Sequence, residues 1–70
     1  MTEGTVKWFN AQKGFGFIAP NAGGSDAFVH ISAVERAGLS DLREGQKIGF
    51  ELVTDGKSGK LSADKLQDLS

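Results

Sequence analysis

Seventy residues, a formal net charge of −1 and no cysteine exclude most function classes. A chain this short buries only about 60% of its unfolded surface, so a single thin-cored domain spanning residues 1–70 is expected, with neither disulfides nor a thiolate zinc site. The opening MTEGTVKW has no apolar signal region and no segment is long enough to span a bilayer, which points to a soluble cytoplasmic protein with no membrane partner.

Short segments rich in β-formers alternate with turn residues, a pattern of small all-β sandwiches and barrels. Thr5–Asn10 is the first expected strand, and Phe15–Ala19 the second, stopped by Pro20. Asn21-Ala22-Gly23-Gly24-Ser25 has the length and composition of a hairpin loop, returning into a third strand over Ala27–Ile31. Ser32-Ala33-Val34-Glu35 has capping-box spacing, so one helical turn beginning at Ser32 and ended by Gly38 is expected. Residues 39–45 read as an irregular loop. Lys47–Thr54 alternates, with Ile48, Phe50 and Leu52 assigned to the core face. Asp55-Gly56 and Ser58-Gly59 mark a turn. In the last segment, from Lys60, Leu61, Ala63 and Leu66 fit neither the strand nor the helix period; it is read as a fifth strand. Five short strands in so small a chain favour a closed barrel, which removes exposed sheet edges.

Strand parity sorts the side chains of the hairpin. Phe15 and Phe17 share a face with Phe28 and His30, and antiparallel pairing sets Phe17 beside Phe28 and Phe15 beside His30. Gly16, Ile18, Ala27, Val29 and Ile31 occupy the other face. The aliphatic set has the small, branched shapes that a tight barrel interior accepts, and a glycine suits a sharply bent strand. A histidine would need buried partners inside, so the rings are expected to face outward, although most phenylalanines are core residues. Val6 and Trp8 have equal parity. Sending Val6 in and Trp8 out requires a bulge between them, which would turn Phe9 inward; the alternative is a core tryptophan.

An exposed patch of rings on a marginal domain implies a ligand. Flat rings beside lysines suit unpaired bases, because every base has a π-face and stacking contributes about 1–3 kcal/mol per base, while lysines hold phosphates. The net charge argues against binding by bulk electrostatics. Yet from Gly4 to Ser25 the chain carries Lys7 and Lys13 and no acid, so that surface is locally positive. The rival reading is a barrel that docks an apolar peptide on the same face. Catalysis has no support: there is one histidine, no placed carboxylate pair, and nothing to position a nucleophile near Asp26 and His30. No metal, cofactor or small-molecule substrate is expected, His30 having no co-ligands at suitable spacing.

WFNAQKGFGFI, DAFVHIS and LREGQKIGFE resemble the cold-shock protein family, whose domain is a variant of the oligonucleotide-binding (OB) fold. The likeness is close from residue 4 to about residue 54 and loose in the tail GKSGKLSADKL. KGFGFI is similar to the family's first ribonucleoprotein motif and AFVHI to its second, with the tryptophan at matching spacing upstream. The resemblance implies a five-stranded antiparallel β-barrel binding single-stranded RNA and single-stranded DNA, usually with a pyrimidine preference. It further implies an RNA chaperone that keeps transcripts unpaired, some members being transcription antiterminators. By position, it implies stacking by Trp8, Phe15, Phe17, Phe28 and His30, polar contacts by Lys7, Asn10, Lys13 and Asp26, and burial of Phe9. Lys57 and Lys60 would add phosphate contacts, or are solvated turn lysines. Ile31 and Leu39 stand where the family usually has aromatics, which points to fewer stacking subsites. No feature demands more than a monomer.

Overall fold

Branched residues at alternate positions, broken by turn glycines, build strands whose inner faces close on one another. The computed structural model describes residues 2–54 and 59–69. In chain order the elements are β1 (Thr2–Asn10), β2 (Phe15–Pro20), β3 (Ala27–His30), α1 (Ile31–Arg36), β4 (Lys47–Thr54) and β5 (Leu61–Asp68). The strands form a closed barrel in the order β1-β2-β3-β5-β4, as the strand pattern leads one to expect. Four junctions are antiparallel. The fifth, which closes the barrel, is a parallel contact of β3 with β5 at Phe28 and Ser62. No helix among the described residues is long and apolar enough to cross a membrane.

The core is the aliphatic face. Val6, Ile18, Ala27, Val29, Val34, Ile48 and Phe50 are essentially inaccessible, joined by Ala33, Leu42, Ala63 and Leu66. The bulge required between Val6 and Trp8 is present: Val6 pairs with Ile18, Trp8 with Phe17, and Lys7 is the extra residue. Beyond it Phe9 turns inward opposite Gly16 and packs on the core. Gly16 leaves room for that, since a Cβ there would lie 2.7 Å from the Phe9 ring and 2.3 Å from the Trp8 carbonyl oxygen.

Several expectations need correction. β1 begins at Thr2, not Thr5, because residues 2–5 pair with the first half of β4. β3 ends at His30, and Ile31 is the first residue of α1. The capping residue is therefore His30 rather than Ser32: its backbone is extended, and its imidazole accepts a hydrogen bond from the Ser32 N–H. Leu52 is not core but 41% exposed. β1 accompanies β4 only as far as Phe50, so the outer half of β4 has β5 alone for a neighbour and no core above it. The expected turn residues Asp55, Gly56 and Ser58, and with them Lys57, lie outside the described residues.

Candidate functional site

Hairpin pairing brings the rings together. Phe15 lies opposite His30 and Phe17 opposite Phe28, while Trp8 pairs with Phe17 across the neighbouring junction. Trp8 contacts Phe15 edge-on at 5.5 Å between centroids, and Phe15 and Phe28 are nearly parallel at 5.6 Å. Phe17 stands edge-on to both Phe15 and Phe28, at 6.2 and 6.0 Å. Trp8 stacks at 6.4 Å with Phe17, and His30 continues the cluster 6.4 Å from Phe28. Such contacts contribute about 0.5–1.5 kcal/mol beyond burial, so each ring is steadied by its neighbours while part of its surface stays open. Trp8 is 36% exposed, His30 is exposed, and Phe15, Phe17 and Phe28 are half-buried. These five rings form a single outward patch.

Polar groups frame it. The Lys7 ammonium, carried on the bulge, reaches the Asp26 carboxylate at 3.2 Å, so its charge is locally balanced. Asn10 is committed to the chain's own backbone: its Oδ1 accepts from the N–H groups of Gln12 and Lys13 at 2.9 and 3.1 Å. That Asx-type turn presents Lys13 to solvent at the Phe15 end of the patch. At the other end a concavity of about 500 Å³ is lined by Phe17, Ser25, Asp26, Phe28, Gly59, Lys60 and Leu61. Of the residues expected at the site, Lys57 alone lies outside the described residues.

Ser25, Gly59 and Leu61 were not legible as site residues. Gly59 and Leu61 reach the rings through the parallel closure of β3 on β5, a long-range pairing that no local pattern announces, whereas Ser25 lines the concavity from the β2–β3 loop beside Asp26. The same closure extends the outer row: Trp8, Phe17, Phe28, Ser62 and Val53 are successive cross-strand neighbours. Ile31 and Leu39 take no part in the patch. Both are half-buried and pack against the core, leaving no ring beyond His30 among the described residues.

A surface of this kind has room for flat, partly apolar groups joined by a mildly anionic backbone. Among the described residues no group of three or more His, Cys, Asp or Glu side chains is gathered as for a metal ion. The 'Cold-shock' DNA-binding domain family matches residues 2–69. The probable cold shock protein y4cH of Sinorhizobium fredii is 72% identical over 67 residues, covering 96% of this chain and 97% of its own length. Cold shock protein CspA of Rhizobium meliloti is 63% identical over the same proportions. The cold shock-like protein CspE of Escherichia coli K12 is 51% identical over 61 residues, 87% of each chain.

Proposed function

Because the chain belongs to the 'Cold-shock' DNA-binding domain family, a family of nucleic-acid-binding proteins, we propose that it binds single-stranded RNA and single-stranded DNA and acts in the cytoplasm as an RNA chaperone. Unpaired bases stack on Trp8, Phe15, Phe17, Phe28 and His30. Lys13 and Lys60 lie beside the strand's phosphates, with Lys57 assigned the same role from sequence, while Lys7 is held at the edge of the patch by Asp26. Asp26 faces base edges at the concavity, and Asn10 acts by shaping the turn that carries Lys13. The observation that carries this reading is the segregation of faces: five contiguous rings lie outside while the aliphatic partners of the same strands are sealed inside.

Magnitudes agree. Four or five stacks at about 1–3 kcal/mol each exceed the roughly 8 kcal/mol of micromolar binding, before the cost of association is subtracted. Holding bases on rings denies them to complementary strands, which is how such a protein would keep transcripts unpaired; on a nascent transcript the same grip would oppose terminator hairpins. Trp8 is the only tryptophan, so its emission reports on the patch directly. Titration with hexathymidine should quench it saturably. A peptide-docking barrel would leave the emission unchanged by hexathymidine, and that result would overturn the proposal.

A further inference from the structure

His30 does two things at once. Its ring ends the aromatic patch, 6.4 Å from Phe28, and its Nδ1 caps α1. The Ser32 N–H donates to Nδ1 at 3.1 Å, and the Ser32 hydroxyl lies 3.0 Å from the same nitrogen. A backbone N–H has no lone pair and can act only as donor. Nδ1 must therefore supply the acceptor, and the proton of the neutral imidazole must sit on Nε2. The backbone fits this duty, with His30 at φ −94° and ψ 151°, the extended geometry of a cap. Among the described residues Nε2 has no hydrogen-bond partner.

We propose that this cap makes His30 a specificity-determining residue: it holds Nδ1 as the acceptor and turns Nε2–H outward, so the patch ends in a single directional hydrogen-bond donor that selects an acceptor oxygen on the bound strand. This rests on the nucleic-acid reading above. Nδ1 is held by the chain itself, which leaves Nε2 as the one nitrogen that can address a ligand. Trp8, Phe15, Phe17 and Phe28 accept any π-face, whereas His30 adds a directional requirement. The acceptor is an oxygen of the strand, supplied either by a base carbonyl or by a phosphate.

Two measurements test this. In the free, nitrogen-15-labelled chain at mildly alkaline pH, long-range proton–nitrogen correlation should show Nδ1 pyridine-like and Nε2 pyrrole-like. The reverse pattern would overturn the proposal whatever the protein binds. The second compares hexathymidine with two sets of analogues, one replacing a single thymine by difluorotoluene, which stacks but accepts hydrogen bonds poorly, the other carrying one neutral methylphosphonate linkage. At one position of one set, wild type should lose roughly two- to tenfold in affinity, the range of one hydrogen bond. His30→Phe, which keeps a stacking ring, should lose nothing further there. His30→Asp, which retains a capping acceptor for the Ser32 N–H and carries no donor, guards against misfolding and should show the same insensitivity. Coupling in the thymine series assigns the acceptor to a base, and in the linkage series to a phosphate; coupling in neither removes the donor role. A chain that fails to bind hexathymidine at all would instead refute the function of the whole patch, and this inference with it.

Discussion

At Gly16 a single methyl group would meet the carbonyl oxygen of Trp8 at 2.3 Å and the Cα of Phe9 at 2.7 Å. Both are backbone atoms of β1, so relief requires the two strands to separate rather than a side chain to turn. Gly16→Ala should therefore destabilise the fold by about 3 kcal/mol, the upper range for overpacking, seen as a lower urea midpoint; an unchanged midpoint would mean the β1–β2 approach is looser than described. The phenylalanines divide just as sharply. Phe50 is fully buried, and Phe50→Ala should cost about 3–5 kcal/mol of stability. Phe17→Ala removes edge contacts with Phe15 and Phe28 and a stacking surface. It should weaken oligothymidine binding by about 1–3 kcal/mol while costing less stability than Phe50→Ala. Parity alone makes this division legible, because Phe17 has His30 and Phe28 for face-mates and Phe50 has Ile48. What parity could not show is how far Phe15, Phe17 and Phe28 bury one another's edges, which leaves them half-open rather than fully exposed.

Elements were legible where their residues alternate without interruption, as in β2 and β4, and obscure where an extra residue breaks the count. β5 is the clear case. Gly49 pairs with Gln67 but Glu51 with Asp64, so β5 advances three residues where β4 advances two. Ala63 and Leu66 are consequently both buried at an odd, three-residue spacing that breaks the strand alternation. The irregularity centres on Lys65, whose φ of 49° is the left-handed region. Side chains there cost roughly 1–2 kcal/mol relative to glycine's freedom, and the exposed ion pair of Lys65 with Glu51 at 3.6 Å offsets little of it. Lys65→Gly should thus raise the unfolding midpoint, by up to about 1 kcal/mol, whereas the β-branched Lys65→Val should lower it. If valine were tolerated as well as glycine, the bulge would lie elsewhere. The start of α1 was missed for a different reason. Capping preferences favour serine, threonine, aspartate and asparagine, and Ser32 stood two residues from a histidine whose acceptor nitrogen does the same work.

For the molecule as a whole, the decisive quantity is how much of its affinity is electrostatic. The net charge is −1, and at the patch Lys7 is matched by Asp26 at 3.2 Å, so about two phosphate contacts, at Lys13 and Lys60, are proposed there. On single strands each neutralised phosphate contributes about −0.7 to the slope of log affinity against log salt. Two such contacts give about −1.4, far shallower than for proteins that bind through a broad basic surface. Stacking is indifferent to salt, so the aromatic patch should keep most of its hold on hexathymidine between low and physiological ionic strength. The Lys7–Asp26 pair offers a sharper check. Asp26→Asn keeps the shape, releases the ammonium to a phosphate, and should steepen the slope by about 0.7. It should do so even if binding at moderate salt falls because a base edge loses its carboxylate partner. Slope and affinity therefore separate the counter-ion role of Asp26 from the base contact proposed for it. A wild-type slope several times steeper than −1.4 would mean that charge rather than stacking dominates. A slope unmoved by Asp26→Asn would mean that Lys7 already reaches the strand despite its partner.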